Sequence, residues 1–351
     1  MAMKSVKSVF FRSTQFLTGV MVMALILTVA LAAADNSGFQ EMENSEIEDQ
    51  QSSIDFQNRR KLNGHTFMPN RWVAQPFING WLRMTTGIAF AQDLKVPLVN
   101  LNGEQLGVDE GEITALLVDA EFQHRLGKRL AVRIGGTGSA HLGTNQVSVI
   151  SQGIKAVYGF NLGATFKILQ SRKAALSATG DIRFNRVLAF NLIRFTRSVV
   201  EYGLTEDNSL LDKGMSNIYV AGLNFAYSPS KWFGFTALGE GGYGTPFLEG
   251  QDNSGVMAFA VGAEFDLGVG TKVPLGLMTF LKWNNYNDLY PEFSDSIWNT
   301  GLTIGYTGVK NFFTGLEISY SRIQARSDAL AVAAKTALNT VSLGLVIRHY
   351  F

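Results

Sequence analysis

Cysteine is absent from the 351 residues, which excludes disulfides and thiolate metal sites. Only four histidines, His65, His124, His141 and His349, can serve as neutral-pH bases, and no motif fixes a nucleophile for any of them. An excess of either charge is also lacking: 30 basic residues against 29 acidic ones offer no argument for a nucleic-acid partner. Beyond residue 31 no apolar run approaches the length of a spanning helix. A mature chain of this kind that crosses a membrane must do so as a closed barrel, because only closure pairs every backbone group within lipid.

The one long apolar run lies at the amino terminus. Lys4, Lys7 and Arg12 precede Phe16 to Leu31, which is almost wholly apolar, and Ala32-Ala33-Ala34 follows. This order predicts an export signal, residues 1–34, cleaved near Ala34; for the rival, a retained membrane helix, the run is short. Removing it takes away three basic residues and no acidic ones, leaving a net charge of −2. Asp35 to Asp55 carries seven acidic residues and no basic one, which predicts a disordered leader. Arg59-Arg60-Lys61 reverses the charge, and the stretch from His65 to Phe77 mixes aromatics with Pro69 and Pro76. Prolines argue against a strand interior. Two readings of this stretch stand: an ordered segment that enters or closes a barrel mouth, or an aromatic-anchored lead-in to the first strand. Residues 35–80 thus form a leader and lead-in, and 81–351 the barrel itself.

What the chain has in abundance is alternation. Val341, Leu343, Leu345, Ile347, His349 and Phe351 share one face of the last eleven residues, with Ser342, Gly344, Arg348 and Tyr350 on the other. Only a strand needs that period. Met257, Phe259, Val261, Ala263 and Phe265 likewise oppose Ala258, Ala260, Gly262, Glu264 and Asp266. Such strands are predicted near 81–92, 113–126, 129–142, 154–169, 174–185, 215–227, 232–244, 255–267, 273–285, 296–307, 312–325 and 338–351. Each is about as long as a tilted membrane strand requires.

The connections alternate too. Tight turns at Gly127-Lys128, Ser171 to Lys173, Ser228 to Lys231, Gly268 to Lys272 and Gly308 to Lys310 separate much longer links. Short turns on one side and long loops on the other mark an outer-membrane barrel. An even strand count of twelve returns both termini to the short-turn side, where a chain arriving through the periplasm begins. A lysine stands in each short turn, to meet phospholipid head groups or simply for solubility.

An amphipathic last strand ending in Phe351, behind an export signal, resembles the closing strand of bacterial outer-membrane β-barrels. The resemblance covers the signal, the strand and turn rhythm and Phe351, and it carries no family-specific motif. It implies an all-β transmembrane antiparallel barrel in the cell outer membrane, among phospholipid and lipopolysaccharide. It also implies that Phe351 is an assembly signal read by the barrel-assembly machinery.

Inward-facing positions are expected to hold charges of both signs: Asp119, Glu121, Arg125, Arg133, Lys167, Asp181, Arg183, Glu240, Glu264, Asp266, Lys282, Glu317 and Arg348. Buried charge must be paired or wet. A hydrated channel with a transverse field and an interlocked network that plugs the bore are both compatible with the list. Twelve strands permit a narrow pore unless something blocks it. Inward glycines such as Gly135, Gly163, Gly262 and Gly315 suggest open space, or else strand curvature.

The links at 93–112, 245–254 and 286–295 are acidic and read as solvated outer loops, with cation bridging to lipopolysaccharide as a sharper alternative. The loop at 186–213 differs, because Val187 to Val200 is too apolar to dangle in water. Read as a helix it aligns Leu188, Leu192, Phe195 and Val199 on one face, with Arg194 and Arg197 displaced. It either folds inward as a gate in which Arg194 and Arg197 tune selectivity, or packs on the rim.

The expected function is a pore for small solutes, gated by that loop, with Asp119, Glu121, Arg133, Asp181, Arg183, Glu264 and Lys282 as pore-lining candidates. The sequence names no solute and no cofactor. A barrel that anchors a periplasmic or surface partner is the alternative. A hydrolase centred on His141, with Ser139 near it, is the less favoured third.

Overall fold

A computed structural model describes residues 60–99, 105–143, 154–190, 211–245, 254–269, 271, 273–285, 296–309, 311–324 and 337–351. Two short strands, β1 (Lys61–Leu62) and β2 (His65–Thr66), precede the barrel. The wall is then built by β3 (Trp81–Val99), β4 (Gln105–Arg125), β5 (Leu130–Gly143), β6 (Ile154–Gln170), β7 (Ala174–Phe190) and β8 (Leu211–Ser230). It is completed by β9 (Phe233–Gly244), β10 (Ser254–Asp266), β11 (Leu275–Asn284), β12 (Ile297–Tyr306), β13 (Phe312–Gln324) and β14 (Ala337–Tyr350). Every neighbour is antiparallel, and β14 pairs with β3 from Thr340↔Ala91 to Tyr350↔Trp81, so the twelve strands close without an edge.

Closure satisfies the backbone within lipid, and the alternation chooses the faces. Leu82, Met84, Leu116, Val118, Leu162, Ile304, Leu316, Ile318, Leu343 and Leu345 all point outward and are exposed, Leu316 at 57%. Aromatic residues border this band. Trp232, Tyr306 and Phe351 stand at the turn end, and Tyr158, Tyr243, Trp298 and Tyr320 toward the loop end. Trp298 and Tyr306 lie eight residues apart on β12, about 26 Å along the strand at ~3.3 Å per residue. At the ~40° tilt of membrane-barrel strands that is ~20 Å of height, most of the ~25 Å apolar band between their aromatic girdles. The chain is therefore a transmembrane β-barrel of the outer-membrane type.

All twelve predicted strands are present, and the short turns fall where the sequence places them. Three expectations change. The 93–112 link is largely strand: β3 and β4 continue pairing from Leu94↔Gly111 to Val99↔Gln105, after an irregularity at Ala91/Leu94. Asp109, Glu110 and Glu112 therefore lie on β4 rather than in a loop. The supposed helix at Val187 begins as strand instead, since β7 pairs with β8 as far as Phe190↔Leu211. Its β-branched and aromatic residues satisfy a strand as readily as a helix, and partner availability decides between them. Arg194 and Arg197 lie outside the described residues, as do Lys272 and Lys310 of the turn lysines, the signal and the acidic leader.

The third change concerns the inward glycines. A Cβ on Gly262 would stand 2.6 Å from Met278 Cε and 2.7 Å from Thr236 Oγ1, and one on Gly163 would collide with Asp181 Oδ1. These positions are bare because a neighbouring side chain occupies the space, not because the lumen is empty there.

Candidate functional site

The lumen is filled on the turn side by the chain that precedes β3. Leu62-Asn63-Gly64-His65 turns tightly, with φ of 50° at Asn63 and 86° at Gly64, so both central residues adopt the left-handed conformation of a two-residue hairpin. This hairpin is tied across the mouth: Asn63 donates from its backbone N–H to the Arg172 carbonyl at 2.7 Å and from Nδ2 to the Pro229 carbonyl at 2.9 Å. Leu62, Phe67 and Phe77 then pack on Ala175 of β7 and Ala226 of β8. Met68 and Val73 pack on the far wall, with Leu238, Ala260, Met278, Phe280, Phe313 and Val346, and Trp72 stacks on Phe280 at 5.5 Å. One segment thus touches β7–β11, β13 and β14 from inside. Of the two readings of this stretch, the structure has the ordered segment that enters the mouth.

Polar contacts fix its depth. Asn70 Oδ1 accepts from the backbone N–H groups of Trp72 (2.6 Å) and Val73 (3.1 Å), closing a local turn. Arg71 Nε and Trp72 Nε1 both donate to Glu317 Oε1, at 2.8 and 2.9 Å. Gln123 Nε2 holds the carbonyls of Phe77 (3.2 Å) and Asn79 (2.8 Å), and Gln75 Nε2 bonds the Met68 carbonyl within the segment. Glu264, expected to line a pore, instead accepts the Met68 N–H at 2.5 Å. It is fully buried beneath the segment, so it belongs to the plug's socket.

Above the plug, five of the candidates are linked. Arg83 reaches Asp119 and Glu121 at 2.8 Å each; Arg133 reaches Glu121 at 3.7 Å and Asp181 at 2.7 Å; Arg183 reaches Asp181 at 4.0 Å and Glu240 at 2.8 Å. The chain of pairs runs from β3 through β4, β5 and β7 to β9. Alternating signs give every charge in this chain at least one partner of opposite sign, which the cost of burial demands. Lys282 faces it from β11, and Arg348 lies over the Trp81 ring at 4.1 Å. Arg83 was missed by the sequence reading, although its place between outward Leu82 and Met84 is the signal for it.

Between ladder and plug on one side and the outer rim on the other lies a cavity of about 410 Å³. Its floor is the plug, through Asn70, Arg71 and Trp72. Its walls hold the ladder and a set of amides and hydroxyls: Thr137, Ser139, Asn185, Asn284, Asn299, Ser321, Thr340 and Ser342. Ser139 and His141 also face it, hydrogen-bonded at 2.9 Å between Oγ and Nε2. His124 and His349 point outward, and His65 is buried in the plug. Among the described residues no cluster of His, Asp and Glu is fit to hold a metal ion.

No known family model and no curated protein matches the sequence. Solved structures do. An outer membrane channel from Pseudomonas putida F1 is 12% identical, with 81% of this chain and 100% of that one covered and a TM-score of 0.45. The transport unit of the autotransporter AIDA-I from Escherichia coli is 12% identical over 88% of this chain and 100% of its own, with a TM-score of 0.46. The KdgM porin is 8% identical over 76% and 99%, with a TM-score of 0.35. At these values the likeness concerns the barrel alone and says nothing about cargo.

Proposed function

We propose that this protein is an outer-membrane channel for small solutes, closed from the periplasmic side by residues 60–80. The observation that carries this reading is the material of the barrier. The wall is held by twelve continuous strand pairings, whereas the floor of the cavity is a segment attached through side chains and a few backbone bonds. A passage through such a barrel opens by releasing the segment, without breaking the sheet. In this reading residues 1–34 are removed on export and Phe351 is recognised by the barrel-assembly machinery. The long links then face lipopolysaccharide.

The test is single-channel conductance in planar bilayers, comparing the mature chain with a variant lacking 60–78. The channel reading expects rare or small steps from the former and frequent, larger ones from the latter. Silence from both, with the barrels shown to be folded and inserted, would remove it.

The ordered plug also favours the second reading, a filled barrel that anchors a periplasmic partner through its amino-terminal segment. That reading expects no conductance from either protein and loss of the partner on deletion. We take the chain not to be an enzyme. The Ser139–His141 contact is the observation on the other side, and ester hydrolysis abolished by Ser139→Ala would reverse that position.

A further inference from the structure

The outer half of the cavity differs in chemistry from its floor. Register aligns Lys282, Asn299, Ser321 and Thr340 on adjacent strands β11 to β14, as Lys282↔Asn299, Asn299↔Ser321 and Ser321↔Thr340, all facing inward. Ser321 Oγ donates to Asn299 Oδ1 at 2.6 Å, which orients that amide. Across the lumen stands Asn185 on β7, only 6% exposed, and its Nδ2 has no partner. Asn284 Oδ1 and Thr340 Oγ1 are buried and unpartnered as well, and both residues line the same cavity. Buried polar atoms are nearly always paired in folded proteins, so a donor, an acceptor and a hydroxyl without a protein partner around one chamber are positions that a polar occupant can satisfy.

The charges argue for which ligand. The arginines and carboxylates of the ladder are engaged with one another. A free anion or cation entering the chamber would compete with these pairs, and an apolar solute would leave the open amides unmet. A neutral molecule bearing several hydroxyls does neither, because each hydroxyl both donates and accepts. It can also bond the outward lone pairs of carboxylates already held by arginine. The volume lies in the ordinary range for small-molecule sites, ~300–1,000 Å³.

From this geometry we propose that the chamber above the plug is a binding site for a small neutral polyhydroxylated solute of mono- or disaccharide size, with Asn185, Asn284, Asn299 and Thr340 as its specificity-determining residues. The proposal rests on the channel reading only in that the site is reached from the loop side.

Trp72 and Trp81 line the cavity, so binding is readable without conduction. The experiment titrates the folded mature protein with glucose and maltose, with gluconate and 1-hexanol as charged and apolar comparators. It follows tryptophan fluorescence of the plugged protein, in which the cavity is complete. Saturable binding of at least one sugar is expected, weakened about three- to tenfold by Asn185→Leu and by the isosteric Thr340→Val. Thr340→Val guards against a misfolded leucine variant, since it alters no volume. No sugar saturating below about 100 mM, or gluconate or hexanol binding more tightly than both sugars, would overturn the assignment. Saturation without conductance would keep the site and sink the channel. Conductance without saturation would do the reverse.

Discussion

Trp72 holds the plug in place through three contacts that can be removed together. Its ring stacks on Phe280 at 5.5 Å, its Nε1 donates to Glu317 at 2.9 Å, and the Arg71 guanidinium lies over the ring at 4.6 Å. Truncating a fully buried Trp to Ala costs ~3–5 kcal/mol. Because Trp72 is half-buried, about 2 kcal/mol is appropriate for packing, with ~1.5 kcal/mol for a bond to a charged acceptor. Trp72→Ala should therefore weaken docking by about 3.5 kcal/mol, roughly a three- to fourhundredfold shift toward the undocked state. A plug docked ~99.9% of the time would then be undocked roughly one part in four. Two assays read this: open probability in bilayers, and hydrogen exchange of the amides of residues 67–79. Trp72→Phe keeps the stack and loses the bond, so it should fall about tenfold short of wild type. Unchanged exchange in Trp72→Ala would refute the assignment of these contacts as what holds the segment. Faster exchange with unchanged conductance would refute the segment as the barrier.

The ladder predicts that Arg133→Ala, which strips a partner from both Glu121 and Asp181, lowers barrel stability by about 3 kcal/mol in urea unfolding in detergent. Gly163→Ala should push the Asp181 carboxylate away from Arg133 and cost a similar amount, and the double variant should cost little more than either alone. His65 is held neutral by burial, with its pKa lowered to about 4 from 6.5. The undocked state therefore binds a proton first. Docking is complete above pH 6.5 and weakens as pH falls toward 4, by at most about 3 kcal/mol. Conductance should rise across that window, and His65→Gln should flatten the profile. Phe351 stacks on Phe122 at 5.6 Å and donates its N–H to the Gly80 carbonyl at 3.2 Å. Phe351→Ser should lower the yield of inserted barrel, measured by heat-modifiable gel mobility, while leaving the conductance of the assembled fraction unchanged.

The strands, their faces and their number are legible in the chain because they depend on a local property. Alternation of period two, cut by short polar turns, names the inward residue whatever lies opposite, and parity of the strand count follows from the turns. Asp119, Glu121, Arg133, Asp181 and Arg183 were placed in the lumen on that ground alone. Asn63-Gly64 is also a hairpin signal, but the two-residue strands beside it are too short to show a period.

Which charge meets which was not legible. Arg133 and Asp181 are 48 residues apart and on strands that are not neighbours, and only barrel curvature and strand stagger bring them to 2.7 Å. The fate of 60–80 was equally hidden, since its prolines and aromatics suit a lead-in as well as a plug. It enters the lumen because a twelve-stranded wall leaves a bore that its own side chains do not fill. Met68, Trp72 and Val73 find there the apolar surface of Met278, Phe280 and Phe313, which would otherwise face water. The chain by itself thus determined the wall, through short-range patterning. The closed tertiary structure decided the contents of the lumen, because those contacts exist only once the last strand has met the first.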